Sequence, residues 1–480
     1  MPDFLPFHRR LFLKSTVASA AIAAAAEANE STRVMNPAYQ ATGIRIGEVT
    51  PTTAIVWTRL TKNTERNNDG IVFKKRGKSE EALKTPVEQI EGACPGQPGK
   101  IRLVYEDQGT TLKTDWVSVD EESDFIHQFQ LKDLKPGTEY HVLCETSVEG
   151  QEHGARVGTF RTAPKPDEIK PVHFCVMTCQ GYPDRDHPDG HPIYPSMTAK
   201  DPDFISMTGD LIYYDNDAPS AMSVDLAHLH WERMFSLPRL VDTLSKTSTY
   251  WLKDDHDTLN NDSWPGRTYG EVTFEEGQKI FRQQAPLGSD SYRTFRWGKD
   301  LQIWLTDGRD FRSPNRMPDG PDKTIWGTEQ KAWFKRTVKE SDATWKILIS
   351  PTPIVGPDRK GKNDNHANAG FSHEGNEIRQ WIHDNVPDNF FVICGDRHWQ
   401  YHSVDPETGV KEFSVGAASN SHAGGTPGRN PKIHRFHKVQ GGFLNVIVDG
   451  DQDESEITFQ LCDVDGNVAF EQKFERARTM

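Results

Sequence analysis

Two regimes of hydrophobic patterning divide the chain. Over residues 40–163 apolar and polar positions alternate as in half-buried strands, in short runs broken by turn residues. Thr42–Val49 and Ala54–Arg59 flank the turn Pro51-Thr52-Thr53, and Phe129–Val142 alternates on both sides of Pro136-Gly137. Gly158–Pro164 closes the series, and the charged stretch 61–100 reads as loops and an exposed edge. After a linker, Pro164–Pro171, the pattern changes. Solid apolar runs at Val172–Met177, Phe204–Met207, Thr249–Leu252, Leu301–Leu305, Trp345–Ile349, Phe390–Cys394 and Phe413–Val415 predict buried strands. Between them Ser223–Phe235, Thr328–Val338 and Glu374–His383 carry helical periodicity. The expectation is an all-β domain at 40–163 followed by an α/β domain at 170–480.

A chain of 480 residues is longer than a single core supports, which agrees with two domains. Hydrophobic content of 35% and a mean hydropathy of -0.69 suit polar surfaces and long loops. The balance of 56 Lys and Arg against 70 Asp and Glu gives a net charge of -14, which disfavours specific or general binding to nucleic acid and anionic membranes. A phosphate site in such a protein must draw its positive charge locally, from metals or a few arginines. Residues 1–28 read as a twin-arginine signal peptide: Arg9-Arg10 precedes the apolar run Ser15–Ala26, and Ala26-Glu27-Ala28 offers a small-x-small cleavage site. The run is too short for a hydrocarbon core of about 30 Å. A basic amphipathic helix is the plainer alternative. The expectation is export in folded form by the twin-arginine translocase, to the periplasm or beyond, without a stable membrane anchor. Six cysteines, at 94, 144, 175, 179, 394 and 462, form neither a dense disulfide framework nor a zinc-type CxxC pair.

The chemistry lies just beyond the strands. Val172–Met177 runs into Thr178-Cys179-Gln180, Phe204–Met207 into Gly209-Asp210 and then Tyr213, and Thr249–Leu252 into Asp254-Asp255-His256-Asp257. Leu301–Leu305 runs into Asp307-Gly308-Arg309-Asp310-Phe311-Arg312, and Phe390–Cys394 into Gly395-Asp396-Arg397-His398. In α/β sheets ligands bind in the crevice beyond the strand carboxyl ends. Asp210, Asp254, Asp255 and Asp396 cannot all stay ionised in one crevice without compensation, and bound cations supply it. A thiolate, a phenolate and an imidazole from Cys179, Tyr213 and His398 suit an ion such as iron, whereas Asp255 and Asp396 suit a hard ion such as calcium. Asp210 is the natural bridge. Plainer readings accompany these: Cys179 as a core cysteine, Tyr213 or Tyr214 as packing aromatics, Asp254 as a helix cap or outer hydrogen-bonding group, and Arg309 and Arg312 as ion-pair partners. Cys175 and Cys394 read as core, and His366, His402 and His422 as loop residues rather than ligands.

Taken in order, these motifs resemble those of the alkaline phosphatase D (PhoD-like) metallophosphoesterases, and the similarity spans essentially the whole mature chain. That family's Ser-Cys-Gln, Gly-Asp-x-x-Tyr, Asp-Asp-His-Glu-x-x-Asn-Asn, Asp-x-Arg-x-x-Arg and Gly-Asp-x-His patterns match Thr178–Gln180, Gly209–Tyr213, Asp254–Asn261, Asp307–Arg312 and Gly395–His398. The resemblance implies an α/β metallophosphoesterase sandwich of two packed sheets flanked by helices. Before it would stand a fibronectin type III or immunoglobulin-like domain, with Tyr140 placed as a tyrosine-corner residue. It also implies Fe3+ held by Cys179, Asp210, Tyr213 and His398, and Ca2+ held by Asp210, Asp255 and Asp396. Three departures stand out: Asp257 replaces Glu, Lys253 replaces an aromatic residue, and Ser350–Asn368 differs from the expected loop, which bears on the substrate pocket.

The activity implied is hydrolysis of phosphomonoesters or phosphodiesters by a metal-activated hydroxide, with His256 as phosphoryl contact or proton donor and Arg309 and Arg312 as phosphate contacts. The competing class is a metal-stabilised extracytoplasmic binding protein without catalysis. Such a protein need not keep every ligand, whereas here each matched metal position is intact.

Overall fold

The computed structural model describes residues 38–107 and 109–478; the twin-arginine segment lies outside the described residues. Among the described residues no helix is long and apolar enough to cross a membrane. Among the described residues the strands form two large sheets, a five-stranded sheet within residues 99–161 and a two-stranded ribbon. The largest has nine strands in the order Val468–Ala477, Glu454–Asp463, Gly442–Gly450, Val172–Met177, Phe204–Thr208, Ser248–Leu252, Ile44–Gly47, Ala54–Arg59, Ile126–Leu131. A seven-stranded sheet faces it, in the order Arg293–Trp297, Leu301–Leu305, Trp345–Ser350, Phe390–Cys394, Lys411–Val415, Gln400–Val404, His434–Lys438.

Alternation along each strand decides what its two faces bury. Val172, Phe174 and Val176 point between the sheets, where they join Ile303, Leu305, Ile347, Ile349, Phe391 and Ile393. Cys175 and Met177 point the other way, into a core shared with the helices Val224–Phe235, Pro238–Lys246 and Phe274–Gln284. On the far side of the second sheet Trp304, Leu348 and Val392 pack with Phe334, Ile378 and Ile382 from the helices Gly327–Glu340 and Ser372–Asn385. The result is helix, sheet, sheet, helix. Strands buried on both faces explain the unbroken apolar runs. The helix starts are chemically marked: Thr273 and Glu276 form a capping box at Phe274–Gln284, and Ser223 caps Val224–Phe235.

Residues 40–163 have a core of their own, in which Ile44, Val56 and Phe129 meet Leu103, Val142 and Phe160. The Tyr140 hydroxyl accepts a hydrogen bond from the Lys135 amide at 2.8 Å, the geometry of a tyrosine corner. Yet this segment is not separate in hydrogen bonding, because Ile44–Gly47 pairs in parallel with Ser248–Leu252. One of its two sheets is thus the end of the nine-stranded sheet.

Parallel pairing gives both large sheets a common carboxyl edge. Val172–Met177, Phe204–Thr208 and Ser248–Leu252 run parallel in one sheet, and Leu301–Leu305, Trp345–Ser350 and Phe390–Cys394 in the other. A β-bridge from Thr178 to Ala417 ties the two edges together. All six cysteines are buried free thiols.

Candidate metal centre

Cys179, Asp210 and Asp396 each sit just past a strand with left-handed φ of 52°, 55° and 61°. Such angles are uncommon for residues with a side chain and persist where the surroundings over-determine them. Glycine is required beside two of them. A Cβ on Gly209 would lie 2.7 Å from the Asp254 Cβ, and one on Gly395 would lie 2.5 Å from the Thr208 carbonyl oxygen.

These turns bring all the expected ligand residues to one place. Cys179 Sγ and the Tyr213 hydroxyl lie 3.4 and 3.3 Å from Asp210 Oδ2, and the hydroxyl lies 3.4 Å from His398 Nε2. Three sets of donor atoms (Cys179, Asp210, His398; Asp210, Asp255, His256; Asp210, Asp254, Asp396) each lie within 4.8 Å of one another. Asp210 belongs to all three. Tyr214 turns away, its hydroxyl accepting from Trp231 Nε1 at 2.8 Å in the helix-side core.

The residues fit bound metal ions on electrostatic grounds. Asp210 Oδ1 and Asp254 Oδ2 are buried without hydrogen-bond partners, an arrangement costly for ionised oxygens, while Asp255 Oδ1 and Asp396 Oδ2 meet only the guanidinium groups of Arg309 and Arg397. Burial, reinforced by Asp255, pushes Asp210 well above the usual carboxylate range. Burial pushes Asp254 up to about 6 against the pull of Arg309. Burial and the Asp210 charge also raise the Cys179 thiol and the Tyr213 phenol. Cations between these groups would relieve every one of these penalties together.

Protein groups hold the remaining atoms. Arg309, fully buried, donates from Nε to Asp254 Oδ1 at 2.5 Å and lies 3.4 Å from Asp255 Oδ1. Arg312 donates to the carbonyl oxygens of Asp364 and Gly308, and burial beside Arg309 lowers it to about 10. Both side chains thus make contacts inside the protein, Arg309 as counter-ion to the acidic turns and Arg312 as a brace to the loop, while Arg309 Nη2 and Arg312 Nε have no hydrogen-bond partner. Lys253 pairs with Asp307 and, at 2.8 Å, with Asp310, a buried ion trio beside the turn that carries Asp254. Asp262, whose amide donates to Asp255 Oδ2 at 2.6 Å, meets Lys362 at 3.1 Å, and Lys362 meets Asp364 at 3.0 Å. The divergent segment is thereby ion-paired to the turn that carries Asp255.

Asp257 is a brace. Its carboxylate accepts from the Leu211 amide at 2.5 Å and from the Asp254 amide at 2.6 Å, joining the two turns that present Asp210 and Asp254. Asp257→Ala strands two buried amides, each worth about 1–3 kcal/mol. The variant is expected to lose several kcal/mol of that order in denaturant unfolding and to bind metal more weakly; an unchanged midpoint would refute the brace.

Three residues escaped the sequence reading. Asp215 Oδ1 lies 2.6 Å from His256 Nδ1, and its other oxygen accepts from the Asn261 amide at 2.8 Å. Burial opposes the charged imidazole, but Asp255, Asp210 and Asp215 outweigh it and raise His256 to about 10. His422, read as a loop residue, enters the centre: Nε2 lies 3.1 Å from the Tyr213 hydroxyl and Nδ1 3.0 Å from Asp184 Oδ2. No local spacing signals these contacts, since Asp184 and His422 are 238 residues apart. His366 and His402 stay outside, bonded to Glu374 at 2.9 Å and to the Glu412 carbonyl at 3.2 Å.

Comparison with known proteins accords with this geometry. A family model described as PhoD-like phosphatase matches residues 174–441. The solved structure of PhoD superposes with a TM-score of 0.70 at 17% identity, over 92% of this chain and 91% of that one. Purple acid phosphatase PPD1 from yellow lupin (Lupinus luteus) seeds gives 0.64 at 14% identity, over 92% and 75%. No curated protein matches in sequence. At these identities the structural likeness speaks for the fold, the two-sheet metallophosphoesterase sandwich.

Proposed function

Because the chain belongs to the PhoD-like phosphatase family and is thereby a phosphate ester hydrolase, we propose that it is an exported metal-dependent enzyme acting on phosphomonoesters, phosphodiesters or both. One observation carries the reading: Asp210 stands within reach of a thiol, a phenol, two imidazoles and three further carboxylates, and Asp210 Oδ1 and Asp254 Oδ2 are buried with no partner at all. In this proposal Cys179, Asp210, Tyr213 and His398 hold iron, and Asp210, Asp255 and Asp396 hold calcium, with Asp254 joining through the oxygen Arg309 leaves open. When bound, the ions supply positive charge for the phosphoryl oxygens and acidity for a nearby water.

The chain's own residues do the rest. Asp215 fixes the His256 ring through Nδ1, leaving Nε2 to donate a proton to the leaving oxygen of the ester. Arg309 balances Asp254 and Asp255 and fixes their orientation, so that the carboxylates meet the ions without rearranging. The Cys179, Asp210 and Asp396 turns hold their side chains in a fixed geometry, and fixed charges cost no reorganisation as the reaction proceeds. Arg9-Arg10 supports export through the twin-arginine route, and fractionation of cells producing the full chain checks it. The division into a fibronectin-like unit at 40–163 and a catalytic unit at 170–480 is part of the same proposal, supported by the separate core of the first.

The test is turnover of two esters that differ in leaving group. Metal-loaded wild type should release phosphate from 4-nitrophenyl phosphate and from an alkyl phosphate. His256→Gln should lose on the order of 10² in kcat on the alkyl ester and about tenfold on the nitrophenyl ester, whose leaving group needs no proton. Equal losses on both would remove the proton-donor role. No turnover of any phosphate ester by the wild type, at any pH, would remove the enzyme.

A further inference from the structure

The protein carries a net charge of -14, yet a cleft beside the metal centre is lined with cations. Its volume is about 510 Å³, and it opens between residues 71–76 and the turns bearing Tyr182 and Asn216. Tyr182 lies three residues past Cys179 and Asn216 three past Tyr213, so the cleft and the metal centre are built on the same two loops. Between them, Asp184 is bonded to His422, which reaches the Tyr213 hydroxyl.

Of the charged residues lining the cleft, Lys74, Arg76, Arg185 and Arg233 are cationic and Glu91 alone is acidic. Glu91 is already neutralised: it accepts from Arg66 at 2.8 Å and from the Tyr182 hydroxyl at 2.7 Å. The Arg66, Arg185 and Arg233 guanidinium carbons lie 5.7, 4.3 and 4.7 Å from the centre of the Tyr182 ring, a cation–π cluster that fixes their positions. Lys74 and Arg76 stand exposed at the rim. The Arg185 guanidinium, held by the Tyr182 ring and by the Tyr182 carbonyl at 2.7 Å and only partly buried, stands with exposed Lys74 and Arg76 as a set of cations that matches a phosphate in charge and in fork geometry.

Resting on the phosphoesterase reading, we propose that this cleft is a second anion subsite, which receives a phosphate group of the substrate other than the one being hydrolysed. The preferred substrates are then esters bearing two phosphates. Simple monoesters engage the metal centre alone.

The probes are inorganic phosphate and alkanediol bisphosphates of increasing chain length, used as inhibitors of 4-nitrophenyl phosphate hydrolysis. In the wild type one chain length should inhibit at least about tenfold more tightly than phosphate, because the second contact becomes intramolecular. Arg76→Ala, at the exposed rim, and Arg185→Ala should each lower the ratio of the two inhibition constants, and the double variant should bring it near one. Bisphosphates that bind no better than phosphate at any length, or an advantage that survives both substitutions, would overturn the subsite. Calorimetric binding of the same bisphosphate to chelated wild type and double variant reads the cleft without turnover. Heat seen only in the wild type supports the cleft even if no ester is hydrolysed; equal heats count against it even if hydrolysis is normal.

Discussion

Asp210→Asn is expected to lower kcat/KM for phosphate esters by on the order of 10³ or more, and at the same time to make the metal-free protein more stable at alkaline pH. Opposite signs follow from one residue's position. Asp210 belongs to all three groups of candidate ligand atoms, so its loss weakens each. An amide keeps the shape of the side chain but carries no charge to bind cations. In the absence of metal that same charge is a burden, because burial and Asp255 push the Asp210 carboxyl far above its usual range. At alkaline pH the wild type must take up a proton on this acid or bury its charge in order to fold, and the variant need do neither. Elemental analysis, steady-state kinetics and melting of the chelated proteins at high pH measure the three effects. Retention of a tenth of wild-type activity, or a lower melting temperature for the chelated variant, would contradict this account of the centre.

Removing metal from the wild type should abolish hydrolysis and make stability fall as pH rises. The sign follows from proton uptake. Burial pushes Asp257 up to about 7 and Asp254 up to about 6, so between the ordinary carboxylate value of 3.8 and these pH values the folded state binds more protons than the unfolded one. Stability therefore falls as pH rises through that range. His256, raised from 6.5 to about 10, extends the fall toward alkaline pH, since its bound proton is lost as pH approaches the higher value. Asp255, held below its usual range despite burial by Arg309 and His256, acts oppositely, but only in acid below 3.8. The chelated protein should thus lose on the order of a few kcal/mol between pH 5 and 10. Rebinding metal should remove most of that loss, because coordinated carboxylates are ionised in the folded state at no cost. Melting curves across pH, with chelator and after metal is restored, measure it. A chelated protein that is most stable at alkaline pH would contradict the crowding of unpaired acids.

The alternation of Val172, Phe174 and Val176 against Cys175 and Met177 is written in the chain itself, because a strand sends successive side chains to opposite faces wherever it lies. The buried strands of the catalytic sheets, the helices between them and the acidic turn after each strand were legible for that reason. Tyr213 and Tyr214 were separable on the motif, and packing places them accordingly, one at the centre and one against Trp231. Other features depend on contacts that no neighbouring residue announces. Ile44–Gly47 reads as one strand of a separate sandwich, but only pairing with Ser248–Leu252 makes it part of the nine-stranded sheet. Arg309 and Arg312 read as phosphate contacts or ion-pair partners, and only the folded chain shows that one also donates to Asp254 and the other to the Asp364 carbonyl.

The chain by itself determined the layers, the two patterning regimes and the residue types at the strand ends, since these follow from local periodicity and side-chain chemistry. Tertiary structure alone decided that His422 joins Tyr213, that Asp215 aims His256, that Asp257 ties two turns together, and that four cationic side chains line one cleft. Those are meetings of side chains far apart in sequence, and their distances exist only once the two sheets have closed on each other.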